Sequence, residues 1–173
     1  MSMGEVKRTK SCCFSGHRST HFDMDFSYTG HILQEHLSKA IKDACSQGFD
    51  TFYSGMAQGF DIIAAEAVLR EKYSNESKNI TLICVIPFKG QDVKWSRKWR
   101  DRHDEILKIC DNIVTLNDEY VTGCYHQRNR YLIDHARRLI GFYSGKKGGT
   151  KHAFEYALER NLEIVNIWSK MEL

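Results

Sequence analysis

The sequence predicts an α/β fold, a doubly wound and mostly parallel sheet of about six strands with helices on both faces. Three observations lead there. Apolar runs of strand length alternate with segments of helical period along the whole chain. The plainest run, Ile-Thr-Leu-Ile-Cys-Val-Ile at residues 80–86, is apolar almost throughout, as a strand covered on both faces must be. Several strand ends also lead directly into a glycine-bearing turn that opens a helix.

The elements follow in order. Residues 1–10 are charged and lack an apolar stretch, which predicts a frayed tail and leaves 11–173 as one domain. Residues 11–15 form a first strand ending at Gly16-His17-Arg18. Residues 27–47 carry Ile32, Leu33, Leu37, Ala40, Ile41 and Ala44 at helical spacing, and Gly48 stops the helix. A second strand at 49–53 leads through Ser54–Asp61 into a helix reaching about residue 73, and a polar loop occupies 75–79. Pro87 ends the third strand. A helix follows from residue 94 or 96 to 109, then a fourth strand at 112–116 and a polar, irregular stretch at 117–123. A helix at 125–136, a strand at 138–143, the glycine-rich turn 144–149, a helix at 150–160 and a strand at 163–168 complete the chain. Right-handed crossovers place every strand-to-helix turn on one rim, where such sheets bind ligands.

Composition narrows the functional classes. Over 173 residues, 42% hydrophobic and 27% charged, the balance is that of a soluble globular chain. No run approaches the ~20 apolar residues of a membrane helix. The net charge of +3 argues against nucleic acid as a partner, because phosphate-tracking surfaces need clustered Lys and Arg. Without a secretory signal, the six cysteines read as reduced thiols of a cytoplasmic protein, and no ligand spacing supports a metal site.

Each turn admits a chemical reading and a structural one. Arg18 is a fork of charged donors suited to a phosphate, and His17 could stack on a base; both also suit a solvated loop. In Ser54-Gly55-Met56-Ala57-x-Gly59-x-Asp61, the glycines let the backbone approach a phosphate, but their spacing is not that of the dinucleotide fingerprint. Asp61 reads as a helix N-cap or first-turn acid, or as an acceptor for a ribose hydroxyl, with the cap favoured. Glu66 is a helix-surface charge or a catalytic acid. After the third strand, Pro87, Phe88 and Gln91 join the rim, and Phe88 or Trp95 could form the wall on which a base stacks. Arg128 and Asn129 stand near a helix start, where a cation gains nothing from the dipole, so Arg128 points to an anionic ligand. Gly148-Gly149-Thr150 is a second phosphate cradle, with Thr150 as cap and phosphate ligand, although the Lys-Ser/Thr ending of a P-loop is missing. Glu155, on the following helix, is a general base or a surface carboxylate.

These motifs occur in an order that resembles a known family: Ser-Gly-His-Arg, Gly-Met-Ala-x-Gly-x-Asp-x-x-Ala-Ala-Glu, Ile-Pro-Phe-x-Gly-Gln, Arg-Asn-Arg-Tyr-Leu-Ile-Asp and Gly-Gly-Thr. The chain resembles the YpsA family of bacterial Rossmann-like proteins, in the SLOG superfamily with the DprA and LOG proteins. The resemblance implies a pocket for a nucleotide or nucleotide-derived ligand of the NAD or ADP-ribose type, with no further cofactor. It also implies a link to division or stress control, with a protein partner or a second copy of the chain. Through the LOG proteins it implies an alternative, hydrolysis of the N-glycosidic bond of a nucleoside monophosphate, with Arg128 and either Glu66 or Glu155 as the catalytic pair. Through DprA it implies a third, single-stranded DNA binding. Two departures stand out. Ser19 follows Gly-His-Arg where relatives usually have proline, and Gly148-Gly149-Thr150 lacks the second glycine of the LOG turn.

Overall fold

The structure, a computed structural model, describes residues 9–18, 27–74 and 79–171. The tail up to residue 8, Ser19 and loop residues 75–78 lie outside the described residues. Six strands form one parallel sheet: β1 (Ser11–Gly16), β2 (Thr51–Ser54), β3 (Thr81–Ile86), β4 (Asn112–Thr115), β5 (Arg138–Phe142) and β6 (Glu163–Asn166). Their order is β4-β3-β2-β1-β5-β6. Among the described residues five helices alternate with them: α1 (Tyr28–Ser46), α2 (Phe60–Tyr73), α3 (Arg97–Ile109), α4 (Cys124–Asp134) and α5 (Gly149–Glu159). This is the doubly wound, Rossmann-like arrangement that the alternation predicts.

The strand order decides which face each helix covers. The chain steps from β1 through β4 in one direction, so right-handed crossovers put α1, α2 and α3 on one face. It then returns across the sheet to β5 beside β1, which puts α4 and α5 on the other. Strand side chains alternate to match. Cys12, Phe14, Phe52, Leu82, Ile140 and Phe142 pack into the core with α1, α2 and α3. Cys13, Tyr53, Val85 and Leu139 pack with Leu132, Ile133, Ala153 and Phe154 of α4 and α5. Both faces need apolar residues, which is why the strands read as nearly continuous apolar runs. α2 packs against both α1 and α3 and buries most of its circumference, so it lacks the one-sided pattern of a surface helix.

Local chemistry sets the ends of the elements. Ser27 caps α1, its hydroxyl accepting from the Gly30 amide at 3.0 Å. Gly48, at φ +86°, ends α1 in a left-handed turn in which the Gly48 and Phe49 amides bond back to Cys45 and Ala44. Phe49 therefore belongs to the helix cap, and β2 starts at Thr51 rather than at 49 as the apolar run suggests. β6 stops at Asn166, whose side-chain amide bonds the backbone N–H and C=O of Tyr143 at 3.1 and 2.9 Å. The chain then turns into a short 3₁₀ segment, Trp168–Lys170.

Gly141 of β5 makes room for α5. A Cβ there would lie 2.3 Å from the Phe154 ring and 3.0 Å from the Ser15 carbonyl oxygen. Gly141→Ala is expected to destabilise the fold by about 1–3 kcal/mol through overpacking. Urea unfolding should show a lower midpoint at an unchanged slope.

Candidate functional site

The reversal of strand order lies between β1 and β5, and ligands of doubly wound sheets bind beyond the carboxyl ends of the strands at that point. A cavity of about 200 Å³ lies there. Ser15, Gly16, His17 and Arg18 line it from the end of β1, and Ala57 and Asp61 from the turn into α2. Tyr125, Arg128 and Asn129 line it from α4, and Lys146 through Thr150 from the turn into α5.

The β1 wall is held by its own backbone. The His17 amide donates to Phe142 O, and His17 O accepts from the Phe60 amide, both at 3.2 Å. One residue thus ties β5 to the start of α2. The buried His17 ring continues the tie, its Nε2 accepting from the Ser144 amide at 2.9 Å. Gly16 admits the same close approach, since a Cβ there would lie 2.4 Å from the Phe60 ring.

The turn after β2 is built around a buried arginine. Arg128 of α4 is 5% exposed; its Nη1 donates to the Gly55 carbonyl and its Nε to Asn129 Oδ1 at 2.9 Å. The same Nη1 lies 3.6 Å from Asp61 Oδ2. Gly55 is glycine because a Cβ would stand 2.3 Å from that guanidinium. Ser54 Oγ donates to Asp61 O at 2.9 Å and accepts from the Met56 amide at 3.2 Å, which holds the buried Met56 at φ +54°. Gly59, at φ +107°, is the residue that caps α2.

Asp61 is therefore not the N-cap but the first-turn acid, the other structural reading the sequence offers. It sits inside the first turn of α2, and its carboxylate accepts from the Ala57 amide at 3.4 Å and faces Arg128. Burial pushes the Asp61 carboxyl up from its ordinary range, while Arg128, the Ala57 amide and Arg18 pull it back. Burial pushes Arg128 down, and Asp61 opposes that shift. Each charge offsets the other's desolvation.

The turn into α5 is open. Gly145 and Gly148 have φ of +89° and +145°, and nothing lies within 4 Å of where a Cβ would stand on Gly145, Gly148 or Gly149. Gly148 is the N-cap and brings no side chain to the helix start; Thr150 lies within the first turn and is not the cap expected from the sequence. Asn129 Nδ2 approaches Gly149 O at 3.5 Å and joins this turn to α4. Among the described residues, Arg18, Arg128, Lys146 and Lys147 line the cavity together with one carboxylate, Asp61. The summed charge there favours an anion.

The other sequence candidates lie elsewhere. Glu66 accepts two hydrogen bonds from Arg102, both at 2.7 Å, and lines a separate groove between α2 and α3. Glu155 faces a groove between α4 and α5, with Lys151 at 3.4 Å and His152 at 3.7 Å. Neither glutamate lines the cavity, because each points from the flank of its helix rather than from its first residues. Gln91 is buried behind the site, its amide donating to Met56 O at 3.2 Å and approaching His103 Nε2 at 3.4 Å. The Trp95 ring meets His103 edge-on, and Pro87 O accepts from Asn117. Phe88 stands behind Tyr125, edge-on at 6.0 Å. Of these aromatic residues Tyr125 lines the cavity and Phe88 and Trp95 do not.

A family model, YpsA, described as the YspA SLOG family, matches residues 12–167. The chain belongs to this YpsA SLOG family. A curated relative, the uncharacterized SPbeta prophage-derived protein YoqJ of Bacillus subtilis (strain 168), is 29% identical over 61% of this chain and 68% of that protein. The fold of this YpsA-family chain recurs in DNA processing protein A (DprA) of Streptococcus pneumoniae, at 19% identity and a TM-score of 0.61, covering 92% of this chain and 50% of that one. It recurs in DprA of Helicobacter pylori at 17% identity and a TM-score of 0.61, covering 95% and 67%. The YpsA-family chain thus spans half the length of the pneumococcal protein. The Helicobacter structure is described as a single-stranded DNA binding mode of that protein. Among the described residues, no helix is long and apolar enough to cross a membrane.

Removing Arg128 would strand the buried Asp61 carboxylate. Arg128→Ala is expected to lower stability by about 3–5 kcal/mol near neutral pH. Asp61 already sits above its ordinary value in the fold, and losing Arg128 raises it further. A carboxyl raised on folding favours the fold at low pH and loses that contribution as pH rises through its folded value. The deficit of the variant, followed by urea unfolding from neutral to acid pH, should therefore shrink as the carboxyl takes up its proton.

Proposed function

We propose that this chain binds a nucleotide-type ligand in the cavity at the β1/β5 switch point, and that it acts by binding rather than by turnover. The ligand's phosphate lies at Gly148, Gly149 and Thr150, with Arg18, Lys146 and Lys147 around it. The ribose lies toward Asp61 and Asn129. The observation that carries this reading is the open space over Gly148 and Gly149 at the start of α5, inside a cationic cavity. Packing does not require glycine at 149, and the residue has no left-handed φ, yet a side chain there would fill the cradle. Backbone amides at a helix start and surrounding cations suit a phosphate. At about 200 Å³ the cavity is smaller than the ~300 Å³ lower bound for drug-sized ligands. It suits one ribose phosphate, as a nucleoside monophosphate or as the end of a larger nucleotide such as ADP-ribose.

The hydrolase reading loses its support, because Glu66 and Glu155 are held in grooves outside the cavity. Asp61, the carboxylate that does line it, already offsets the charge of Arg128. Single-stranded DNA binding is the second reading, favoured by the fold shared with the Helicobacter protein and by the cations on the rim. It requires an affinity that falls steeply with salt.

Thermal-shift and calorimetric titration with nucleoside monophosphates, NAD and ADP-ribose test the proposal. A ligand at one hundred times its Kd should stabilise the native state by about 2.7 kcal/mol. Gly149→Val should melt like the unliganded parent and lose the ligand shift. Absence of a shift with every phosphorylated nucleotide, or a full shift in Gly149→Val, would overturn it.

A further inference from the structure

The polar stretch between β4 and α4 carries an exposed aromatic residue beside Tyr125, which lines the cavity. Tyr120 is 59% exposed and its neighbour Val121 is 42% exposed. The Tyr120 ring meets Phe88 at 5.5 Å and 86°, and Tyr125 at 6.4 Å and 56°. Phe88 in turn meets Tyr125 at 6.0 Å and 72°. These three rings form a continuous cluster, one member of which lines the cavity.

The cluster is braced from behind. Asn117 Nδ2 donates to Pro87 O at 2.7 Å and to Gln127 Oε1 at 2.9 Å, and the Lys89 amide donates to Asn117 O at 3.2 Å. Lys89 also pairs with Asp118. The segment bearing Tyr120 is thus tied both to the end of β3 and to α4. Burial does not explain Tyr120, since most of its surface is in water. A braced aromatic surface at the rim of a cationic cavity is the arrangement that stacks bases.

The Arg18 guanidinium carbon lies 5.4 Å from the centre of the Tyr125 ring, near the outer limit of a cation–π contact. A planar group taking that place would free Arg18 to turn to the phosphate. The size of the cavity supports this exchange: at about 200 Å³ it has room for one ribose phosphate, and a base attached to that ribose would extend past it toward Tyr125 and Tyr120.

We propose that Tyr125 and Tyr120, backed by Phe88, form a base-stacking subsite for a nucleoside monophosphate, the base displacing Arg18 from Tyr125 while Arg18 moves to the phosphate. This rests on the phosphate reading above and adds the base as the second determinant of affinity. The subsite recognises a π-face, so it accepts any nucleobase and adds nothing to the binding of plain sugar phosphates.

The test compares adenosine 5′-monophosphate with ribose 5-phosphate by calorimetry, and follows the fluorescence of 2-aminopurine riboside 5′-monophosphate, which falls when the base stacks on an aromatic ring. The wild type should bind adenosine monophosphate at least about tenfold more tightly than ribose 5-phosphate. Tyr125→Ala should erase that difference and the fluorescence change. Tyr125→Phe should keep both, and Tyr120→Ala, at an exposed position, should weaken adenosine monophosphate alone. Equal affinity for the two ligands in the wild type would overturn the subsite and leave the phosphate reading standing. An undiminished difference in both Tyr125→Ala and Tyr120→Ala would also overturn the subsite. Failure of both ligands to bind would overturn the two proposals together, and binding of a single-stranded oligonucleotide without either small ligand would do the same in favour of DNA.

Discussion

A single buried guanidinium holds the rim of this protein together. Arg128 enters from α4, reaches over the end of the sheet and meets the Gly55 carbonyl and the Asp61 carboxylate on the opposite layer. A cation taken out of water needs partners, and its requirements spread outward. Residue 55 must lack a side chain, α2 must place a carboxylate in its first turn, and the turn between them must keep its polar backbone toward α4. Ser54 and Gln91, each bonded to the backbone of that turn, fix it from the other side. The cavity lies where these demands leave space.

The fold was legible because both faces of the sheet are covered. Runs such as residues 80–86 could be apolar on both sides only in a parallel sheet between helix layers, and glycines marked the ends of β1, α1 and β2. The glycine turns were legible as positions, but not for their reasons. Gly16 and Gly55 are small because Phe60 and Arg128 press against them, whereas the Gly148–Gly149 turn faces open space. Sequence spacing shows a glycine and does not show its neighbour.

The side of a helix that faces the rim was not legible. Asp61 and Glu66 stand five residues apart on α2, yet one lines the cavity and the other binds Arg102 in the groove against α3. That choice depends on how α2 is rotated against β1, which is set by the Phe60 amide bonding to His17 O and not by local pattern. Tyr120 was hidden for a related reason: an aromatic residue in a polar loop has no period to read. Net charge misled in the same way. A total of +3 says little about a cavity that, among the described residues, four cations and one carboxylate line.

The histidine of the Gly-His-Arg turn invites a chemical role, and its surroundings assign it a different one. Nε2 receives the N–H of Ser144, so that nitrogen carries the lone pair and the ring proton resides on Nδ1. To accept a proton at Nε2 from anything in the cavity, the imidazole would have to release the strand-end amide that fixes the start of the glycine turn. His17 is thus committed as a fastener between two loops, and the rim can hold a guest without drawing a proton from it there.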